Sequence, residues 1–180
     1  MPTDWRMTTI DERFVRAPLR IVFALAADVQ RWPVHLPHYR YVRFHERRGD
    51  GGGLVEMSAN RPFGMANWPT QWTSLMSVDG PDSAVIPVIR FRHVRGVTRG
   101  MEVEWSFVDG VDGTHVRITH VWNGPEWPLI GDIAARGVIG PIFVHGIASR
   151  TLAGLGRLAE RTAAGGENGG GATRIEVSSG

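Results

Sequence analysis

From Tyr39 to Trp122 the apolar residues recur with a period of two, and glycine-bearing breaks interrupt the pattern at hairpin spacing. Val42 and Phe44 alternate with Arg43 and His45 before the loop Gly49-Asp50-Gly51-Gly52-Gly53, and Val55, Met57 and Ala59 continue one face. A strand over about Thr70 to Val78 turns at Asp79-Gly80-Pro81. The next runs from Ala84 to Arg95, with Pro87 marking an edge or a bulge near its start. Met101 to Val108 and Thr114 to Trp122 flank Asp109-Gly110-Val111-Asp112-Gly113, a strong hairpin signal. Between these runs, Arg61 to Pro69 carries Pro, Gly and Asn and reads as a loop.

Helices frame the strands. Thr8 to Arg16 alternates as a first strand, and Pro18 suits a first helical turn, where its missing N–H costs nothing. Leu19, Val22, Phe23 and Ala26 follow at helical spacing up to Val29, and Pro33 and Pro37 break what comes next into a short helix or turns. After Asn123-Gly124-Pro125 a helical region opens near Trp127-Pro128 and is split at Gly140-Pro141. Beyond the split, Val144, Ala148, Leu152, Leu155 and Leu158 form an apolar stripe. The expected architecture is α+β: a curved antiparallel sheet of about seven strands around a long C-terminal helix, with an internal cavity. One domain over residues 1–164 is expected, and a glycine-dominated, disordered tail over 165–180.

Composition removes several chemistries. The chain has no cysteine, which excludes disulfides, thiolate nucleophiles and cysteine-ligated zinc. All twenty of its basic residues are arginine, so neither a Schiff base nor a phosphate-loop lysine is available. Net charge is only +2. Met1 to Met7 is polar with Asp4 and Arg6, unlike a secretory signal, and Leu129 to Ala148 holds Asp132, Arg136 and His145, a poor membrane span. The expectation is a cytoplasmic, cofactor-independent protein, monomer or homodimer, with no stable membrane insertion.

Alternation sorts the candidate residues by face. On the strand around Phe91, Arg90 and Arg92 share one side, while Phe91, His93 and Arg95 share the other. Val103, Trp105 and Phe107 point inward on the next strand, as do Val116, Ile118, His120 and Trp122 on the last. The inner wall is therefore expected to hold His93, His120, Trp105 and Trp122, with Arg95 near one end. A histidine there can transfer protons at a carbonyl, an arginine can stabilise an enolate, and tryptophans can stack a flat ring. The same side chains also make sense as hydrogen-bonded core. Glu102 and Glu104 lie on the opposite face, suited to cross-strand pairing with Arg90, Arg92 or Arg117 rather than to paired-carboxylate catalysis. His35, His38 and His45 have no reason to converge on a metal. Arg90, Arg92, Arg95 and Arg99 read as a solvated face, not a nucleic-acid site. His145 either caps the cavity entrance beside Phe143 or is exposed; Trp127 and the Asn60–Trp68 loop are expected to form a mobile mouth.

Over Thr8 to Thr162 this order of elements resembles the START-like helix-grip superfamily, in its polyketide cyclase/dehydrase-type branch. The segments that carry the resemblance are Asp28…Trp32-Pro33…Leu36-Pro37-His38-Tyr39, Phe91 to Trp105, and Gly140-Pro141-Ile142-Phe143-Val144. The resemblance implies a cavity for a hydrophobic or aromatic small molecule, lined by Trp32 and Tyr39. In its aromatase/cyclase members that cavity folds a poly-β-ketone for aldol closure and dehydration, and an arginine four residues beyond a strand tryptophan is the usual proton donor. Here Trp72 is followed at that spacing by Met76. His93, His120 and Arg95 are thus the catalytic candidates, and Trp32, Tyr39, Trp72, Met76, Phe91, Trp105, Trp122, Phe143 and His145 the binding candidates. A non-catalytic carrier of a lipid, quinone or isoprenoid is the alternative.

Overall fold

A computed structural model describes residues 7–63, 66–123 and 141–169, with side chains for all but 61–63, 66–68, 141–143 and 167–169. Strand β1 (Met7–Val15) leads into helix α1 (Leu19–Ala27), whose Val22, Phe23 and Ala26 are buried. A short 3-10 turn (Val29–Arg31) connects to α2 (Trp32–His35), which has Pro33 in its first turn. Six strands follow: β2 (Tyr39–Arg47), β3 (Gly53–Phe63), β4 (Ala66–Asp79), β5 (Val88–Gly96), β6 (Glu102–Gly110) and β7 (Gly113–Trp122). Helix α3 (Pro141–Gly169) closes the chain.

The strands form one antiparallel sheet in the order β1-β7-β6-β5-β4-β3-β2. Its inner face packs on α3 and on the α1–α2 segment, burying Val15, Val55, Met76, Phe107 and Ile118 together with Val144, Ala148, Leu152, Leu155 and Ala159 of α3. Two glycines let α3 approach closely. A Cβ on Gly154 would collide with Leu36 Cδ2, and one on Gly156 would sit 2.7 Å from Arg13 Nε.

Three expectations are corrected. Asn60–Trp68 is not a loop, because β3 and β4 stay in register out to Phe63↔Ala66. Pairing with β2 ends at Ala59 and pairing with β5 ends at Trp72. Among the described residues the tip is therefore a two-stranded ribbon with both edges unpaired, where Pro62 and Pro69 deprive no third strand of a hydrogen bond. The strand expected from Ala84 begins only at Val88. Residues before it form turns, and Pro87 offers its carbonyl to Phe107 N–H at 3.1 Å. Helix α3 runs on to Gly169, past the expected tail boundary at 165. A packed helix extends at one hydrogen bond per added residue, and Gly165 and Gly166 meet nothing among the described residues that would stop it. The helical region expected near Trp127-Pro128 and the rest of the tail lie outside the described residues.

Candidate functional site

Between sheet and α3 the described residues line a partly open cavity of about 70 Å³. Its walls are mostly aromatic. Trp32 is at the centre, with ring centroids 5.2 Å from Tyr39, 5.6 Å from Trp105 and 6.4 Å from Phe91. Trp72 lies 6.4 Å from Tyr39 and stacks on His93 at 5.9 Å. The indole N–H of Trp32 donates to Leu25 O at 3.2 Å, which fixes the ring across the cavity. Val144, Ile147, Ala148 and Thr151 of α3 complete the wall.

Polar groups in this wall are neutral. His93 Nδ1 lies 2.7 Å from Thr98 Oγ1, and His120 Nδ1 lies 3.3 Å from Thr9 Oγ1. Burial lowers His93 to about 3, with His120 adding repulsion, and burial lowers His120 to about 4. At neutral pH both are uncharged imidazoles. A third group centres on Thr151. Its hydroxyl donates to Ile147 O at 2.8 Å, and His38 Nε2 and Tyr39 OH approach it at 2.9 and 3.3 Å. Burial pushes the Tyr39 phenol upward, and burial together with the charge of Arg150 lowers His38 to about 4.

The structure brings together Trp32, Tyr39, Trp72, Phe91, His93, Trp105 and His120 on this wall. It places others elsewhere. Arg95 is exposed: the β4–β5 pairing shifts between Thr73↔Arg95 and Ser74↔His93, so Val94 is an extra residue and Arg95 turns out of the expected inner face. Met76 and Trp122 are buried on the inner face but do not line the cavity; the Trp122 indole N–H donates to Arg99 O at 2.9 Å. His145 is exposed on the side of α3 facing β1, where its Nδ1 lies 2.5 Å from Asp11 Oδ1. Phe143 and Trp127 have no described side chains. Among the described residues no cluster of metal-ligating side chains occurs; His38 turns to Thr151 and His45 to Glu56 at 2.7 Å.

Thr98 and Thr151 were missed by reasoning from sequence. Thr151 was legible, because it stands seven residues after Val144 and three after Ala148 on the buried stripe. Thr98 had no such signal, since only the turn after Gly96, at φ 99°, folds it back onto His93.

Residues 15–139 match the family described as polyketide cyclase / dehydrase and lipid transport. No curated protein matches the chain in sequence. Among solved structures, the protein TTHA0849 of Thermus thermophilus is similar at 18% identity with a TM-score of 0.68, covering 87% of this chain and 99% of that one. An aromatase/cyclase from Streptomyces sp. R1128 is similar at 16% identity and TM-score 0.51, covering 91% and 93%. The major latex-like protein 151 of Panax ginseng reaches TM-score 0.65 at 9% identity, covering 86% and 97%. At such identities these three share the fold. No helix among the described residues is long and apolar enough to cross a membrane. With the matched segment spanning most of the sheet, the chain belongs to the polyketide cyclase / dehydrase and lipid transport family of START-like helix-grip proteins, a fold built to hold hydrophobic ligands.

Proposed function

We propose that this protein binds an uncharged aromatic or otherwise hydrophobic small molecule in the cavity and holds it with His93 and His120 as neutral hydrogen-bonding groups. The observation that carries this reading is the aromatic wall around Trp32 with two buried imidazoles on the same inner face. Aromatic walls favour flat ligands by stacking and area burial, and the few polar groups orient them. Native mass spectrometry of freshly purified protein, with extraction of whatever co-purifies, tests it directly. A titration with the neutral probe N-phenyl-1-naphthylamine should give saturable binding that Ala148→Leu, which narrows the cavity, weakens at least fivefold. Absence of any bound or bindable apolar compound would overturn the reading.

A second reading, cyclase/dehydrase-like catalysis, is favoured by the presence of both His93 and His120 on the cavity wall. A neutral imidazole can polarise a carbonyl by hydrogen bonding, as a histidine does in triosephosphate isomerase. It lowers the barrier to enolisation and aldol closure in a site that excludes water and templates a flexible chain. Replacing both histidines by Gln should then abolish turnover of a polyketone while leaving ligand binding within a fewfold. In a carrier the same double variant has no turnover to lose. Arg95, being exposed, has no part in either reading.

A further inference from the structure

Helix α3 is fastened unevenly. Its C-terminal half is locked by the close approaches of Gly154 to Leu36 and Gly156 to Arg13, by the buried Leu155 and Ala159, and by Arg16 N–H donating to Glu160 Oε1 at 3.2 Å. Its N-terminal half instead forms the cavity wall through Val144, Ile147, Ala148 and Thr151. On the β1 side of that half, the tie is His145 Nδ1 against Asp11 Oδ1 at 2.5 Å. The next residue, Gly146, has nothing within 4 Å of a would-be Cβ among the described residues. No packing among them demands that glycine, and it loosens the helix where the tie is made.

The tie is also an uncomfortable one. The Asp11 side chain is 3% exposed, and its Oδ2 is enclosed without a hydrogen-bond partner among the described residues. Opening the seam would hydrate that oxygen, which offsets part of the cost of parting the helix from the strand. Two residues earlier on the same face of β1, Thr9 touches His120 of the cavity wall. The β1–α3 seam therefore runs alongside the cavity. At about 70 Å³ the cavity is roughly half the ~150 Å³ that admits a benzene ring, so a ligand of that size fits only if a wall moves.

We propose that ligand enters between β1 and the N-terminal half of α3, with the Asp11–His145 pair as the latch of that seam. This rests on the reading that the cavity binds a ligand, and two measurements separate the two. In the cysteine-free chain, Asp11→Cys with His145→Cys can be bridged across the seam by dibromobimane. The bridged protein should take up N-phenyl-1-naphthylamine at least tenfold more slowly than the same variant unbridged. Equal rates would overturn the entry route while leaving the ligand reading intact; no uptake by the unmodified protein would overturn both. Amide hydrogen exchange needs no ligand. His145→Ala should speed exchange over residues 144–151 severalfold and Gly146→Ala should slow it, with sheet amides unchanged. Exchange indifferent to both substitutions would overturn the latch.

Discussion

The two faces of the sheet are built from alternate residues of the same strands, yet they handle polarity in opposite ways. Outside, charges are numerous and paired across strands. Arg90 reaches Glu104 at 2.8 Å and Asp79 at 2.7 Å, Arg117 reaches Glu12 at 2.5 Å, and Glu56 accepts from Tyr41, His45 and Gln71 at 2.7 to 2.8 Å. Inside, His93, His120, Thr98, Thr151 and Tyr39 give the cavity wall polarity without charge, while the buried Asp11 is paired with His145 at the β1 edge. Water makes the outer pairs cheap to form and cheap to lose, whereas burial makes any inner charge costly. Solubility and recognition are thus divided between even and odd positions of one strand.

Acid should break the contrast most severely. Unfolded histidines take up protons near pH 6.5, while His120 and His93 stay neutral in the fold down to about 4 and about 3. The unfolded chain therefore binds the protons first. Stability is full above about pH 6.5 and falls with pH, by up to about 1.4 kcal/mol per unit for each histidine. Together they remove on the order of 5 kcal/mol by pH 4, comparable to a domain's whole stability. Urea midpoints measured from pH 7.5 to 4.5 should drop steeply, and His93→Gln with His120→Gln should flatten the curve. An unchanged slope in the double variant would show that other groups carry the acid sensitivity.

Truncation should show the same contrast in packing. Trp32 is 3% exposed and contacts three aromatic rings, so Trp32→Ala should cost about 3–5 kcal/mol in urea unfolding. Leu75 on the outer face is 42% exposed, and Leu75→Ala should cost less than about 1 kcal/mol. Similar losses at the two positions would mean that the outer face is covered in solution. The smallest effect is expected at Glu104→Gln, which cuts one of the two carboxylates on Arg90 and should cost about 0.2–1 kcal/mol, less in 1 M salt.

Much of this division was legible in the sequence. Alternation placed Val103, Trp105 and Phe107 inside, along with Ile118 and His120, because regular strands repeat every two residues. It failed where the backbone departs from that period or where a partner in space decides the outcome. Arg95 was misplaced by a bulge that leaves no compositional mark. His145 was ambiguous because helical spacing does not say that a buried Asp11 waits on the edge strand. The histidines' neutrality depends on how completely α3 and the rings close over them, which no local pattern encodes.

The bulge at Val94 keeps a charge out of the wall. By absorbing one extra residue, it sets Gly96 rather than Arg95 opposite Trp72. A Cβ on Gly96 would already lie 2.9 Å from the Trp72 backbone, so the fit there is close. Were the strand to run regularly from His93 onward, Arg95 would take that place and a guanidinium would enter the aromatic wall. An uncharged wall and a wall that carries a guanidinium are one register step apart in this strand, with no residue of the cavity substituted.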